Sequence, residues 1–365
     1  MAIGANEKVR VGIIGCGGIA NGKHMPSLKK VPGVEMVAFC DIIVERAEKA
    51  AKQYGTADAK VYEDYRKLLE DKTIDVVHVC TPNRAHSFIT VDALEAGKHV
   101  MCEKPMAINS AEAKKMLDAA ERTGKLLTIG YQNRQTSEAL FLKEEADRGT
   151  FGDIYFARAF AVRRRAVPTW GVFLNEYEQG GGPLIDIGTH ALDLTLWMMN
   201  NYKPKYCVGT TYHALNNDTE QGNAWGNWDP AKFTVEDSAF GFVVMENGAT
   251  VSLDAAWALN TLEVREACTM LCGTKAGGDM LDGVRINGIR QNRQYTFRPN
   301  FSAGGAAFYE GASDNDPSAK DMAQWIATVR GQKAAPTVLP EQAYTVTRIL
   351  EGIYTSAKTG DIYRF

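Results

Sequence analysis

Three polar residues of this 365-residue chain have types and spacings suited to moving a proton. Lys104 lies in Glu103-Lys104-Pro105 after an apolar segment, and the proline restricts the backbone so that the ammonium group can be aimed. Asp186 and His190 are four residues apart in a predicted helix and would face the same space. Histidine exchanges a proton near neutral pH, and an ammonium group stabilises a developing alkoxide. This set predicts acid–base chemistry at a hydroxyl or carbonyl group; the alternatives are an ordinary surface lysine and a helix with a solvated face.

A glycine-rich turn near the start of the chain predicts a diphosphate-binding loop. Segment 9–14 is typical of an apolar strand, and Gly15-Cys16-Gly17-Gly18-Ile19-Ala20 follows it with the spacing of a dinucleotide-binding turn. The next predicted strand ends at Asp41, whose carboxylate could accept hydrogen bonds from both ribose hydroxyls and would repel the 2′-phosphate of NADP. We therefore expect NAD as the cofactor. Two alternatives stay open, because Asp41 could cap the following helix and Arg46 could offset the repulsion.

Composition and charge exclude several classes of protein. Apolar residues make up 45% of the chain and charged residues 23%, which predicts a soluble globular protein with two domains. The formal net charge of -3 gives no reason to expect nucleic acid as a partner. Residues 1–8 contain no hydrophobic stretch of signal-peptide length, so we expect no membrane association and a cytoplasmic location.

The seven cysteines form no C-x-x-C pair, and we expect them to be buried free thiols. Cys268 and Cys272 are four residues apart, but no histidine or further cysteine lies at ligand spacing. We therefore expect no metal site.

Alternating strand and helix patterns up to residue 130 predict a parallel, doubly wound sheet. The predicted strands are 9–14, 34–40, 76–80, 99–102 and 126–129, and the predicted helices are 44–54, 65–70, 87–96 and 111–123. Ligands of such sheets bind beyond the carboxyl ends of the strands. Thr81-Pro82-Asn83 and Lys104 follow two of these ends, so we expect them at the nucleotide edge of the sheet.

The pattern beyond residue 130 predicts an α+β domain with a large, open, mainly antiparallel sheet. The predicted strands are 154–164, 263–271 and a hairpin of 237–244 and 249–256 that turns at Asn247-Gly248. The predicted helices are 183–199, 318–330 and 341–358, and 216–233 is predicted to be an extended loop. The fold class is thus α/β, with a dinucleotide-binding domain at 1–129 and a substrate-binding and oligomerisation domain at 130–365. The C-terminal helix is expected to pack back toward the first domain.

Four motifs together resemble one family. The glycine loop, Thr81-Pro82-Asn83 with His86, Glu103-Lys104-Pro105, and Asp186-Ile187-Gly188-Thr189-His190 with Asp193 occur in the order and spacing of the Gfo/Idh/MocA oxidoreductases. This family includes glucose-fructose oxidoreductase and inositol dehydrogenase, and the resemblance covers nearly the whole chain. It implies a Rossmann domain followed by an α/β domain whose open sheet mediates oligomers, here a homodimer or homotetramer, with the active site between the domains. It also implies that Lys104, Asp186 and His190 are the catalytic residues.

The leading hypothesis is NAD-dependent oxidation of a secondary alcohol of a sugar, anhydrosugar, glycoside or inositol, or the reverse reduction. His190 would act as general acid and base, Asp186 would orient it, and Lys104 would polarise the reacting oxygen. The candidate cofactor-binding residues are Gly15, Gly17, Gly18, Ile19, Ala20, Asp41, Arg46, Thr81, Pro82, Asn83, His86, Glu103, Lys104 and Gln132. The candidate substrate-binding residues are Lys104, Arg163, Arg164, Trp170, Asp186 and His190.

Further aromatic and amide side chains could contact a sugar, although the tryptophans are equally expected in a core or an interface. They are Trp225, Trp228, Asn175, Asn223 and Asn227. Two rival functions stay open. A redox-neutral glycosidase would oxidise a sugar carbon transiently, eliminate the leaving group and recover the hydride. A nucleotide-sensing regulator would need the glycine loop alone, so the presence of Lys104, Asp186 and His190 argues against it.

Overall fold

The computed structural model describes residues 7–301 and 316–365, which form two compact units. The first unit comprises Met1–Gln132 with Asp316–Thr347, and the second comprises Asn133–Asn315 with Arg348–Phe365. The predicted domains were 1–129 and 130–365, so the helix predicted at 318–330 falls in a different unit from the one expected.

Strands and helices alternate regularly only in the first part of the chain. The strands are β1 (Val9–Ile14), β2 (Val34–Cys40), β3 (Lys60–Tyr62), β4 (Val76–Val79), β5 (His99–Cys102), β6 (Leu127–Ile129), β7 (Ile154–Val162), β8 (Pro204–Tyr212), β9 (Ser238–Met245), β10 (Thr250–Ala256), β11 (Arg265–Gly273), β12 (Ala276–Asp279), β13 (Arg285–Arg290), β14 (Arg293–Phe297) and β15 (Tyr363–Arg364). The α-helices are α1 (Met25–Lys29), α2 (Val44–Tyr54), α3 (Tyr65–Leu69), α4 (Asn83–Glu95), α5 (Ser110–Thr123), α6 (Ser137–Asp147), α7 (Glu176–Gln179), α8 (Thr189–Met199), α9 (Pro317–Val329) and α10 (Pro340–Thr359). Single π-helical turns at Ala20–His24 and Leu184–Gly188 lead into α1 and α8.

The first unit contains a six-stranded parallel sheet in the order β3-β2-β1-β4-β5-β6. This is the doubly wound order of dinucleotide-binding folds, in which the chain reverses its direction across the sheet beside β1. The predicted fold class is confirmed. The point of reversal, between β1 and β4, is where such sheets bind their ligands.

Helix α9 belongs to the first unit because its apolar face completes that unit's core. Met322, Trp325 and Ile326 are at most 1% exposed and pack in one cluster with Met25 and Leu28 of α1. Apolar area removed from water in this way stabilises the unit. A sequence pattern shows that a helix is amphipathic but not which core covers it, so the predicted division assigned α9 to the other domain.

The second unit contains a nine-stranded sheet in the order β14-β13-β12-β11-β7-β10-β9-β8-β15. Among the strands of this sheet in the described residues, only β7 and β10 pair in parallel, so the predicted mainly antiparallel sheet is confirmed. The predicted hairpin is β9 and β10, with Gly248 at φ 87° in its turn. Helix α8 packs against β7 and β11.

All seven cysteines are free thiols, and no pair is joined by a disulfide bond. Five are buried as predicted, whereas Cys268 and Cys272 on β11 are half-buried. Within residues 7–301 and 316–365, no helix combines the length and the apolar character needed to cross a lipid bilayer.

Candidate functional site

The glycine loop of the first unit leaves open space where a diphosphate would lie. Gly15 has φ +89°, and a Cβ there would lie 2.6 Å from the carbonyl oxygen of Cys80, so only glycine fits. By contrast, a Cβ on Gly17 or Gly18 would meet no atom within 4 Å. Asn21 holds the loop in place, because its Nδ2 donates to the carbonyl oxygens of Cys16 and Gly17 at 2.8 and 2.9 Å. The loop therefore fits a diphosphate, which its backbone could approach without hindrance.

The flanking residues of the loop differ in burial. Ile19 is 41% exposed, whereas Ala20 is fully buried, as expected for a small residue at a close helix–strand contact.

Asp41 is fixed at the end of β2 by two backbone donors. Its Oδ2 accepts a hydrogen bond from the Cys16 N–H at 2.8 Å, and its Oδ1 accepts one from the Ile43 N–H at 2.9 Å. Helix α2 begins at Val44 with Ile43 as its N-cap and no side-chain cap, so Asp41 holds the turn before the helix and does not cap it, and the residue is 8% exposed. A carboxylate has more acceptor positions than these two bonds use, so Asp41 can still accept ribose hydroxyls. Arg46 is exposed on α2.

The loops after β4 and β5 are joined by a buried histidine. Thr81 and Pro82 lead into α4, which begins at Asn83. His86 on α4 has Nδ1 2.8 Å from the carbonyl oxygen of Pro105 and Nε2 2.9 Å from that of Thr81. Burial lowers the pKa of this imidazole. The ring of His86, predicted to bind the cofactor, therefore connects the two loops instead of presenting a free nitrogen.

Glu103 is the centre of a buried polar cluster behind the loop that carries Lys104. Its Oε1 accepts from Lys23 Nζ at 2.6 Å and lies 2.7 Å from His24 Nε2, and its Oε2 accepts from the Lys104 N–H at 3.1 Å. Burial disfavours the charge, but the Lys23 ammonium and the hydrogen bond from His24 hold the pKa of Glu103 well below its usual range. Lys23 also donates to Gln132 Oε1 at 2.9 Å.

These contacts revise two predicted cofactor ligands. The side chains of Glu103 and Gln132 bind Lys23 within the protein, so their observed role is to support the loop. Lys104 itself is half-buried, and its backbone N–H is held by the Glu103 carboxylate. No local pattern marks Lys23 and His24 as site residues, because their partner Glu103 is 80 and 79 residues away along the chain.

The second unit buries the helical segment that carries Asp186 and His190. Asp186 is 8% exposed and His190 is 9% exposed, so the alternative of a solvated helix face is wrong. Asp186 Oδ2 accepts a hydrogen bond from Trp257 Nε1 at 3.0 Å, and Trp257 is fully buried. This tryptophan, which follows β10, was missed because a tryptophan at a strand end is most simply explained as core.

Asp193, three residues after His190, anchors the same helix. Its carboxylate forms a bidentate ion pair with Arg134, with Nε–Oδ2 at 2.8 Å and Nη2–Oδ1 at 2.6 Å. Both side chains are at most 1% exposed. Asp193 therefore positions the helix from within the core.

The predicted sugar contacts are only partly available. Strand β7 ends at Val162, so Arg163 and Arg164, which the predicted strand 154–164 includes, lie beyond its end. Arg163 pairs with Glu266 at 2.5 and 2.7 Å, and its guanidinium lies 5.2 Å from the centroid of the Trp225 ring. Arg164 is exposed.

Two of the three candidate tryptophans are accessible. Trp170 is 51% exposed and Trp225 is 44% exposed, and their rings make a T-shaped contact at 4.9 Å. Trp228 is 4% exposed and donates to the Asn216 carbonyl at 2.7 Å, so it belongs to the core of the 216–233 loop. Trp170 lines a cavity of about 500 Å³ together with Asn175, Asn227, Asp229 and Lys232. Asn223 instead bridges the N–H and carbonyl of Val167 at 2.8 and 3.0 Å, which is a structural role.

Comparisons with known proteins agree with these two units. Residues 9–131 match the oxidoreductase family described as "NAD-binding Rossmann fold", and residues 140–277 match the GFO/IDH/MocA C-terminal domain. The chain is 35% identical over 355 residues to D-glucoside 3-dehydrogenase of Escherichia coli K12, with 97% of each protein covered.

Two further proteins are similar at lower coverage or identity. Inositol 2-dehydrogenase of Salmonella paratyphi B is 34% identical over 197 residues, which cover 53% of this chain and 56% of that protein. The structure of levoglucosan dehydrogenase in complex with NADH and levoglucosan has the same fold, with a TM-score of 0.80 at 20% identity over 98% of this chain and 99% of that one. The glycine loop, the doubly wound sheet and the full-length match together show that this chain belongs to the Gfo/Idh/MocA family of NAD-binding oxidoreductases.

Proposed function

We propose that this protein oxidises a secondary alcohol of a sugar or polyol with NAD, or catalyses the reverse reduction of the ketone. The observation that carries the proposal is the buried Asp186–His190 segment, with Asp186 fixed by Trp257, in a chain of the NAD-binding oxidoreductase family. Relatives named as a glucoside and an inositol dehydrogenase support a substrate with several hydroxyl groups.

The chain's own residues would manage the proton of the reacting hydroxyl. His190 takes this proton during oxidation and returns it during reduction, which an imidazole can do near neutral pH. Asp186, held by the Trp257 indole, orients the imidazole. When bound, NAD would accept the hydride that leaves the carbon bearing this hydroxyl group.

Lys104 would stabilise the oxygen while it carries negative charge. Its ammonium group donates a hydrogen bond to the reacting oxygen, an effect of about 3 kcal/mol for a positioned donor. Glu103 fixes the backbone of Lys104 and so limits the conformations of this side chain. Asp41 disfavours a 2′-phosphate, so we propose NAD rather than NADP.

The test is a screen for NAD reduction over monosaccharides, anhydrosugars, inositols and glycosides, with NADP in parallel. The His190→Ala and Lys104→Ala variants should lose turnover while NAD still binds. Lys67→Ala is the control, because Lys67 is an exposed helix lysine whose side chain is 64% accessible.

Three results would contradict the proposal. If both His190→Ala and Lys104→Ala retained turnover, the catalytic roles proposed for these two residues would be refuted. Cleavage of a glycoside without net formation of NADH would favour the redox-neutral glycosidase. A strong preference for NADP would refute the role given to Asp41.

A further inference from the structure

A buried carboxylate lies at the start of the helical segment that carries Asp186 and His190. Glu236 is 4% exposed and lies just before β9. Its Oε2 accepts a hydrogen bond from the Gly182 N–H at 2.8 Å, and its Oε1 accepts one from the Leu184 N–H at 3.1 Å. These N–H groups belong to the beginning of the helical segment, where backbone donors have no partner within the helix. Glu236 therefore caps this segment from a distant part of the chain.

Tyr354 of α10 completes the arrangement. Its hydroxyl donates to Glu236 Oε1 at 2.7 Å. The glycines of the Gly180-Gly181-Gly182 run make room for these two side chains, because a Cβ on Gly181 would collide with the Tyr354 hydroxyl and a Cβ on Gly182 with the Glu236 carbonyl. The triple glycine thus admits a phenol and a carboxylate of the same unit to the helix start.

The described part of the chain gives Glu236 three donors, and none of them is a cation. Tyr354 is the titratable group that faces it. Burial raises the pKa of Glu236 to about 7, and the hydrogen bonds from Tyr354, Gly182 and Leu184 offset part of this rise. Burial and the neighbouring Glu236 raise the pKa of Tyr354 well above its usual value, so the phenol remains a donor.

Protonation would change the hydrogen bonds at the helix start. The ionised carboxylate can accept all three donors, whereas the neutral acid carries a proton that must itself be donated. The neutral acid is also the weaker acceptor, so the hydrogen bonds that hold the helix start are weakened. The start of the segment is consequently held most firmly when Glu236 is ionised.

We propose that Glu236 is a positioning residue for the reaction, because its ionised carboxylate fixes the segment that carries Asp186 and His190. This inference rests on the acid–base role proposed for His190. Glu236 acts through the helix start and needs no contact with the substrate. Its ionisation would contribute an acidic limb to the pH profile of alcohol oxidation, beside that of the His190 imidazole.

The experiment compares the wild type with Tyr354→Phe, Glu236→Gln and the control Tyr65→Phe. Tyr65 donates to Asp92 at 2.6 Å in the first unit, so its variant removes the same kind of phenol–carboxylate bond elsewhere. The readouts are kcat against pH for NAD-dependent oxidation of methyl glucoside and the NMR signals of the His190 ring in protein with isotope-labelled histidine.

Loss of the Tyr354 donor should raise the pKa of Glu236, so the acidic limb should move to higher pH by about one unit. Glu236→Gln should remove this limb and lower kcat by about tenfold, since small displacements of a reacting group are costly. The His190 signals should shift in both variants. Tyr65→Phe should leave the limb and the signals unchanged.

The proposal would be overturned if the acidic limb of the pH profile stayed in place in Tyr354→Phe. If Glu236→Gln does not fold, Tyr354→Phe alone provides the test. A wild type without turnover on the sugar panel would instead overturn the proposed function. The His190 signals then decide the positioning role, which fails if neither variant shifts them.

Discussion

Breaking the ion pair between Arg134 and Asp193 on one side should strongly destabilise the second unit. Asp193→Ala removes the carboxylate that receives two donors of a guanidinium which is fully buried. Arg134 would then remain as a buried cation with the Tyr202 hydroxyl 3.3 Å away. Breaking a buried pair by removing one partner typically costs about 3–5 kcal/mol, and we expect a loss of that size.

A second variant separates the charge from the packing. In Arg134→Met with Asp193→Leu, both charges are replaced by apolar side chains, so no uncompensated charge is left in the core. The double variant should therefore be more stable than Asp193→Ala, although it replaces two native side chains and Asp193→Ala replaces one. Glu144→Ala is the matched surface control in the same unit, because Arg148 and Glu144 pair at 66% and 65% exposure and should contribute less than about 1 kcal/mol.

Urea unfolding followed by tryptophan fluorescence is the appropriate assay. Five of the six tryptophans belong to the second unit, and Trp325 alone belongs to the first, so the signal reports mainly the unit that contains the ion pair. The reasoning would be refuted if Asp193→Ala cost less than about 1 kcal/mol, the range of exposed pairs. It would also be refuted if the double variant were the less stable of the two.

Three other variants test separate parts of the structure. Gly15→Ala should weaken nucleotide binding, measured by NADH fluorescence, at least about tenfold, because the added Cβ would lie 2.6 Å from the Cys80 carbonyl oxygen. The control is Gly22→Ala, whose Cβ would meet nothing within 4 Å and which should bind the nucleotide normally. Glu103→Gln should lower the melting temperature in circular dichroism by leaving the Lys23 ammonium buried without its counter-charge, and an unchanged melting temperature would contradict this. The unfolding free energy of the wild type, measured relative to that of Glu236→Gln, should fall by about 3 kcal/mol as the pH rises from 4.5 to about 7. The reason is that the folded protein holds the Glu236 proton more tightly than the unfolded chain does. If the unfolding free energies of the two proteins changed in parallel with pH, the raised pKa would be refuted.

The sequence predicted the first unit well because its strands are buried on both faces. β1, β2 and β5 begin and end at the predicted residues, as expected for continuous apolar runs of a parallel sheet. The three-residue β3 was missed, because Lys60–Tyr62 is too short and too polar to show a pattern. In the second unit, β8 and β12 to β15 were missed for related reasons: they are short, rich in glycine or largely exposed.

The supporting residues of the candidate site could not be predicted because their partners are distant in the chain. Glu236 caps a segment 52 to 54 residues before it and meets a phenol 118 residues after it. Trp257 reaches Asp186 across 71 residues. Motif spacing identifies the functional side chains that a family shares. The residues that position those side chains contact them through the tertiary fold, and no local sequence pattern marks them.

The crowding around the triple glycine constrains how this protein can evolve. A side chain at position 181 and the phenol of Tyr354 cannot occupy the same volume, so position 181 cannot change while the phenol is present. Gly181 also has φ +159°, where a side chain is strained, so homologues that retain the phenol should keep glycine for two separate reasons. An alignment of relatives should therefore show a residue other than glycine at position 181 only where the phenol of Tyr354 is absent, although the two positions lie 173 residues apart in sequence.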